Sequence, residues 1–520
     1  MSNFYLEAAS IIDDVEGRRG SLKSLAALRS AKSGIDAKRL LALAANTLSY
    51  KRALTVVLDK AGVLREEAKT LTAAARQSNA SALSLTLVLV HDLLFTSRGR
   101  IAASMSWPPS AAVTRHAARL KAELVKLQIK EGKVAIKELR TGDKRADRIP
   151  RWVRVNERLV RPDELLEALQ AQGWTRQEEG QHGLAPKRKS FMVSPHLGGC
   201  MLAFHPSQTS NLVEHHLYRD GKIVLQDLAS CFPAEILLCE EAKTVADLHV
   251  VDATAAPGNK TSHLSALLAK RKGLSRITAF EKSAKRFATL CAQLDRAGAL
   301  SGSSRCQHTA RGAVTAVRSD FMEVNREELA DVTHMLLDPS CSGSGIVGRL
   351  DHLSSKTALL DERETEEEEQ SERLAHLATF QLAMIEFAMG FPSLRRFCYS
   401  TCSTHVQENE EVVLKALKTT VAQSRGWKLA GKSSVLPSWP TRGLGSECGS
   451  EQGLADAMIR CDPGGSMSDE ATTNGHAQLE ATNGFFVTCF VRESENKSRE
   501  KNRKRKARAK VMKAIKRQKA

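Results

Sequence analysis

Apolar positions in the first part of the chain recur at spacings of three and four. Leu83, Leu87, Val90 and Leu94 form one such stripe in an Ala-, Leu-, Lys- and Arg-rich background. That period predicts amphipathic helices, and with them a helical domain over residues 1–147. After Pro150 the pattern shortens to the alternation of Arg151-Trp152-Val153-Arg154-Val155-Asn156, which reads as a strand. Pro162-Asp163-Glu164 then starts a helix whose apolar residues are Leu166, Leu169 and Trp174. Strand followed by helix at this scale predicts a small α+β unit over 148–235.

From 236 to 495 short apolar runs alternate with helical stretches. The strand candidates are Leu248–Val251, Ile277–Phe280, Met335–Leu337, Arg396–Tyr399 and Phe485–Val491. Ser262–Lys270, Ser283–Ala297 and Leu374–Met389 read as the helices between them. This alternation predicts an α/β domain with a Rossmann-like, doubly wound parallel sheet. Two stretches interrupt it and read as flexible insertions. Asp361–Glu372 carries eight acids and one Arg, and Gly443–Asn483 is rich in Gly, Ser, Glu and Thr.

Composition narrows the function classes. A chain of 520 residues needs more than one core, and 42% apolar with 26% charged residues fits globular, soluble domains. The longest apolar stretch, Leu83 to Phe95, is broken by His91 and Asp92 and is too short to span a bilayer, so no membrane partner is expected. The N-terminal residues lack a basic n-region and run into Glu7, Asp13 and Asp14, which argues against a secretory or mitochondrial leader. Net charge is +18, and Lys497–Ala520 alone holds 13 Lys or Arg against one acid, a local +12. Residues 496–520 therefore read as a disordered basic tail suited to polyanions or nuclear import, and nucleic acid leads as partner class. The eleven cysteines are odd in number, absent before Cys200 and never in a C-x-x-C spacing. Neither a disulfide framework nor a metal site is expected from them.

Three segments carry candidate chemistry. In Val250–Thr261 a strand ends in the small-residue turn Thr254-Ala255-Ala256-Pro257-Gly258-Asn259-Lys260 and a helix begins near Thr261. Such a turn lets a ligand approach backbone N–H groups at the carboxyl edge of the sheet, although it fits neither the dinucleotide nor the phosphate-loop motif. The next strand ends in Glu281, an acid placed to accept from a ribose diol. The second segment, Met335–Gly345, delivers Asp338 and Cys341 into a Gly/Ser turn, and the third, Phe397–Ser403, delivers Cys402. Either thiol alone reads most simply as a small buried side chain. Two thiols at the ends of separate strands, both at the cofactor edge, point to nucleophilic thiol chemistry on an adenosyl-cofactor scaffold.

These segments resemble those of the Sun-type RNA (cytosine-5) methyltransferases. Pro150–Asn156, Tyr218–Ala234, Gln407–Glu410 and Asn483–Phe486 are similar to further family motifs. Glu16–Leu25 with Leu436–Leu444 is similar to the branch acting on large-subunit ribosomal RNA. The resemblance implies S-adenosylmethionine along Thr254–Lys260, with Glu281 on the ribose, Arg286 beside it, Asp320 towards the adenine and Asp338 at the shared edge. It further implies Cys402 as nucleophile, Cys341 in product release, Asp338 on the cytosine edge and Lys260 tuning a thiol or orienting the base; spacing alone does not decide which thiol does which. Ribosomal RNA, in pre-ribosomal particles, would be the partner, in the nucleus and nucleolus. Thr254 and Glu281 depart from the family's usual Cys and Asp. RNA contacts are expected from the helical domain, the Arg151, Trp152 and Arg154 segment and the tail. Three alternatives stay open: a transfer-RNA methyltransferase, a ribosome-assembly factor without activity, and a DNA-type enzyme that would use Cys341 as nucleophile.

Overall fold

The computed structural model describes residues 2–492 apart from 18, 142–144, 146–148, 178–185, 198, 240–246, 304–310, 348–359, 450–451 and 466–480, and the backbone alone over 360–370. The basic tail lies outside the described residues.

Two compact units emerge. The N-terminal one, up to Thr141, is helical. At its centre the Ala82–Leu94 helix buries ten of thirteen residues, so it is apolar nearly all round rather than along one stripe. Leu87, Val90 and Leu94 of the predicted stripe are buried there, whereas Leu83 is 37% exposed. Ser81 caps this helix, accepting from the Ser84 N–H at 3.0 Å, and Asp13 in turn accepts from the Ser81 N–H at 2.6 Å and the Ser84 hydroxyl at 2.7 Å.

The second unit, from Arg145 onward, holds two sheets. The smaller has β1 (Arg151–Val155), β2 (Thr175–Arg176), β3 (Ser190–Val193), β4 (Met201–Phe204) and β5 (Ile223–Leu225) in the order β2-β3-β4-β1-β5. The Pro162–Ala171 helix covers it through Leu165 and Leu169 against Val153, Phe191 and Phe204. The larger sheet contains β6 (His249–Asp252), β7 (Arg276–Phe280), β8 (Ala313–Val317), β9 (His334–Leu337), β10 (Arg396–Thr401), β11 (Lys428–Leu429), β12 (Met458–Cys461) and β13 (Phe485–Val491). Its order is β11-β13-β10-β9-β6-β7-β8, with β12 paired to β13. The run from β8 to β10 is parallel, as expected for a Rossmann-like core. Antiparallel β13, flanked by β11 and β12, completes the other side and makes the sheet mixed.

Period-two alternation divides the strands between two cores. Val250, Leu336 and Cys398 face one, and Val251, Leu337 and Tyr399 face the other. Strand order reverses between β6 and β9, so the crevice beyond their carboxyl ends is the topological switch point where ligands bind in such sheets.

Three expectations change. The Asp361–Glu372 run is not a flexible insertion but the start of a 30-residue helix, Leu360–Met389. It has no Gly or Pro, Glu is a strong helix former, and acids at an N-terminus complement the helix dipole. The Gly443–Asn483 stretch contains β12, and the Trp439 indole anchors it by donating to the Arg460 carbonyl at 2.9 Å; its residues 466–480 lie outside the described residues. Finally, Trp152 and Arg154 are buried, with 2% and 1% exposure, and do not form an RNA-facing strand.

Candidate active site

The turn after β6 is built from its own backbone. The Ala255 N–H donates to the Phe280 carbonyl at 2.9 Å, tying the turn to the end of β7. The Ala256–Pro257 peptide is cis, and Gly258 takes φ 111°, a conformation L residues rarely adopt. A Cβ on Gly258 would also press within 3.2 Å of Leu290. The helix begins at Asn259, earlier than the sequence suggests. Asp252, at the end of β6, accepts from the Thr261 hydroxyl at 2.7 Å and so locks the turn to the helix. Burial, helped by the nearby Asp338 charge, lifts its carboxyl to about 6.

Glu281, 4% exposed, accepts from the Ser283 N–H at 2.8 Å and lies 3.3 Å from the Arg286 guanidinium. Arg286 also reaches back to the Ala256 carbonyl at 2.8 Å, so both line the same turn. Asp320 follows β8, caps the short turn at Phe321 and pairs with Lys282 at 3.2 Å. The Asn259 side chain, by contrast, points to the small sheet, donating to the Leu225 carbonyl at 3.4 Å.

Across the switch point the thiols meet. Cys341 Sγ lies 3.0 Å from Cys402 Sγ, and both residues are partly exposed. Lys260 Nζ donates to Asp338 Oδ2 at 2.7 Å, and the Ser400 hydroxyl donates to Asp338 Oδ1 at 2.7 Å. The Thr254 hydroxyl accepts from the Asp338 N–H at 3.2 Å, which joins the turn to β9. Burial alone would lower the Lys260 ammonium. The charge and hydrogen bond of Asp338, with smaller pulls from Cys402 and Asp252, carry it above the ordinary lysine value, so it stays a cation. The Cys341 thiol is pushed far above its ordinary value by its hydrogen bond to Cys402 and by burial, and it keeps its proton.

The late segments converge on these loops. The Gly345 N–H donates to the Cys402 carbonyl at 2.9 Å and its carbonyl accepts from the Gly484 N–H at 2.7 Å. Asn483 holds the Val347 N–H at 2.9 Å and donates to Asp227 at 2.8 Å. Asn409 accepts from the Thr401 hydroxyl at 2.6 Å and donates to the Ser403 carbonyl at 3.0 Å, bracketing Cys402. Arg460 pairs in two-pronged fashion with Glu410, both contacts 2.6 Å, and donates to the Thr404 carbonyl at 3.1 Å. Arg154 donates to Gln226 beside β5 at 2.9 Å and joins the small sheet to this domain through Ser262 at 2.8 Å.

Sequence reading thus brought together Lys260, Asp338, Cys341 and Cys402, and separately Ala256, Glu281 and Arg286. It missed Ser400, Gln381, Asn409 as a brace, and Arg460. Ser400 carried a usable signal, since it lies near the end of β10, two residues before Cys402 in the loop that follows, at the period that keeps side chains on one side of an extended chain.

The chain is similar to known proteins over most of its length. Residues 242–434 match the family described as 16S rRNA methyltransferase RsmB/F. Residues 38–139 and 149–226 match the N-terminal and ferredoxin-like domains of NOL1/NOP2/Sun domain family member 5. The chain is 37% identical to the 25S rRNA (cytosine-C(5))-methyltransferase rcm1 of Schizosaccharomyces pombe, over 89% of this chain and 88% of that protein. It is 36% identical to a 28S rRNA (cytosine-C(5))-methyltransferase of Mus musculus, over 94% and 90%. Among solved structures, that of PH0851 superposes with a TM-score of 0.52 at 17% identity, covering 94% of this chain and 99% of its own, which shows a shared fold. With relatives this similar over nearly its whole length, the chain belongs to the Sun-type RNA (cytosine-5) methyltransferase family, in its large-subunit ribosomal RNA branch.

Proposed function

We propose that this protein methylates carbon 5 of a cytosine in large-subunit ribosomal RNA through a covalent Cys402–cytosine intermediate, and contributes to ribosome biogenesis in the nucleus and nucleolus. The observation that carries it is the meeting of two thiols, a lysine cation and a carboxylate at the sheet's switch point. Named relatives that act on 25S and 28S rRNA support the substrate class. The fold and family imply a methyl donor of the S-adenosylmethionine type.

The residues fit that donor. A turn of small side chains leaves its edge open, and the Glu281 carboxylate keeps lone pairs for a diol beyond those used by Ser283 and Arg286. Thr254–Lys260, Glu281, Arg286, Asp320 and Asp338 would hold it, with Asn259 contributing backbone rather than side chain. When bound, it supplies an electrophilic methyl group.

Cytosine carbon 5 is a weak nucleophile. Addition of a thiolate to carbon 6 turns it into an enamine carbon and divides one hard step into two. Cys402 suits the addition, because Lys260 senses its charge and Cys341 can donate to it. Asp338, held by Lys260 and Ser400, would bind the cytosine edge, accepting from its amino group or from ring nitrogen 3 once that nitrogen is protonated as electron density enters the ring. Release then needs loss of the carbon 5 proton and departure of the Cys402 thiolate, the step to which Cys341 belongs. The target base must leave its stack to reach the loops, so unpaired or remodelled RNA is the expected substrate form.

The test is adduct trapping on large-subunit RNA lacking 5-methylcytosine, with transfer RNA alongside. Cys402→Ala should form no adduct and transfer no methyl, and Cys341→Ala should accumulate a protein–RNA adduct on denaturing gels. An adduct retained by Cys402→Ala and lost in Cys341→Ala would reverse the roles, and equal methylation of transfer RNA would move the substrate.

A further inference from the structure

Cys341 lies on a loop, yet the chain on both sides of it is gripped by one pair of side chains. Gln381, in the Leu360–Met389 helix, donates from Nε2 to the Ser340 carbonyl at 3.0 Å and to Glu408 Oε1 at 2.9 Å. The same Glu408 oxygen accepts from the Ser342 N–H at 2.9 Å. The carbonyl before Cys341 and the amide after it are therefore tied to a single amide–carboxylate couple. Tyr399, three residues before Cys402 on β10, closes the circuit. Its hydroxyl lies 3.0 Å from Gln381 Oε1 and 2.6 Å from the Glu408 carbonyl.

Gln381, Tyr399 and Glu408 are all fully buried. Glu408 Oε2 has no hydrogen-bond partner among the described residues. A buried carboxyl with one bare oxygen costs stability, and its other oxygen serves the Cys341 loop and the glutamine that grips it. Local rules broken in this way mark functional sites.

The geometry points to Glu408, seated by Gln381 and Tyr399, as the positioning residue that sets Cys341 against Cys402 for the release step. It touches no reacting atom. It acts through the Ser342 amide and through Gln381, and it links the second thiol's loop to the strand carrying the first. This rests on the proposed role of Cys341 in release. Thiol loops displaced by a fraction of an ångström would still permit addition at Cys402 while the proton-loss and elimination geometry suffers.

The experiment compares wild type, Cys341→Ala, Glu408→Ala, Glu408→Gln and Gln381→Met in single-turnover methyl transfer and in decay of the RNA adduct. Glu408→Ala should leave first-turnover transfer within about threefold while slowing adduct decay roughly 10- to 100-fold. Glu408→Gln, which keeps an oxygen acceptor, should restore decay. Should Glu408→Ala fail to fold, Gln381→Met removes the clip with less volume change and should show the same adduct. Transfer and decay slowed by equal factors, or no rescue by Gln, would overturn the positioning role. If Cys341→Ala itself accumulates no adduct, the reading of Cys341 fails instead, and the two failures are told apart by that control.

Discussion

In the half of the sheet formed by β6, β7 and β8, the turn and the first acids at the carboxyl edge are held mostly by partners close in sequence. Gly258 turns the chain, Asp252 ties to Thr261, and Glu281 caps Ser283. In the half formed by β9, β10 and β13, each thiol loop is set by buried polar side chains from distant segments. Gln381, Glu408, Asn409 and Arg460 reach it across 6 to 66 residues of sequence. On the proposed mechanism, a ligand that lies along the backbone needs a turn, whereas two thiols that work in sequence need fixed loops, and fixing a loop takes long-range clamps.

The same difference explains what could be read in advance. Strands β6, β7, β9, β10 and β13 and the residues at their ends were legible, because short apolar runs ending in small or chemical residues are local signals. Strand β8 was not, since Ala313–Val317 is a half-exposed edge run of small residues. Gln381 and Arg460 look like surface polar residues in a helix and in a Gly/Ser-rich stretch, and only burial reveals their work. Arg154 misled in the opposite direction. A basic strand residue reads as an RNA contact, yet it is a buried tie between sheets, and burial lowers its guanidinium below the usual value.

The sharpest break should come from Arg460→Ala. It strands the fully buried Glu410 carboxylate and frees the Thr404 carbonyl. Removing one partner of a buried pair costs about 3–5 kcal/mol, visible as a lower urea midpoint. No single polar side chain in the cofactor half should cost as much; an Arg460→Ala loss under about 1 kcal/mol would erase the contrast.

A second effect is pH-dependent and belongs to the cofactor half. The folded Asp252 carboxyl is raised to about 6, above the ordinary unfolded value near 4. A raised carboxyl is ionised at a cost in the folded state, so its contribution is harmless below pH ~4 and stability is lost as pH rises towards 6. The loss amounts to about 2–3 kcal/mol once ionisation is complete. Asp252→Asn should therefore gain on the wild type as pH rises from about 4 to about 6 in thermal melts, and a constant difference across that range would refute the burial account.

Cofactor affinity gives a smaller effect of another kind. Glu281→Gln keeps the acceptor for the Ser283 N–H but loses the charge proposed to face a ribose diol. A charge-assisted hydrogen bond contributes about 1.5–3 kcal/mol, so S-adenosylmethionine should bind roughly 10- to 100-fold more weakly by calorimetry, with the melting temperature little changed. Glu281→Asp, the family's usual residue, should bind close to wild type.

The smallest effect tests whether the halves are mechanically joined. Thr254 stands where the resembling family usually has Cys, and its hydroxyl accepts the Asp338 N–H across the switch point. A thiol is a weak acceptor, so Thr254→Cys should cost about 0.5–1 kcal/mol, while Thr254→Val, which leaves that amide without an acceptor, should cost about 1–3 kcal/mol. If the bond only steadies the turn, both variants change cofactor affinity and leave adduct formation alone. If it also seats Asp338 beside Lys260 and Ser400, Thr254→Val slows methyl transfer at saturating cofactor while Thr254→Cys stays near wild type. The second outcome is expected, because the same Asp338 whose amide reaches Thr254 carries the carboxylate that the cation and the hydroxyl hold.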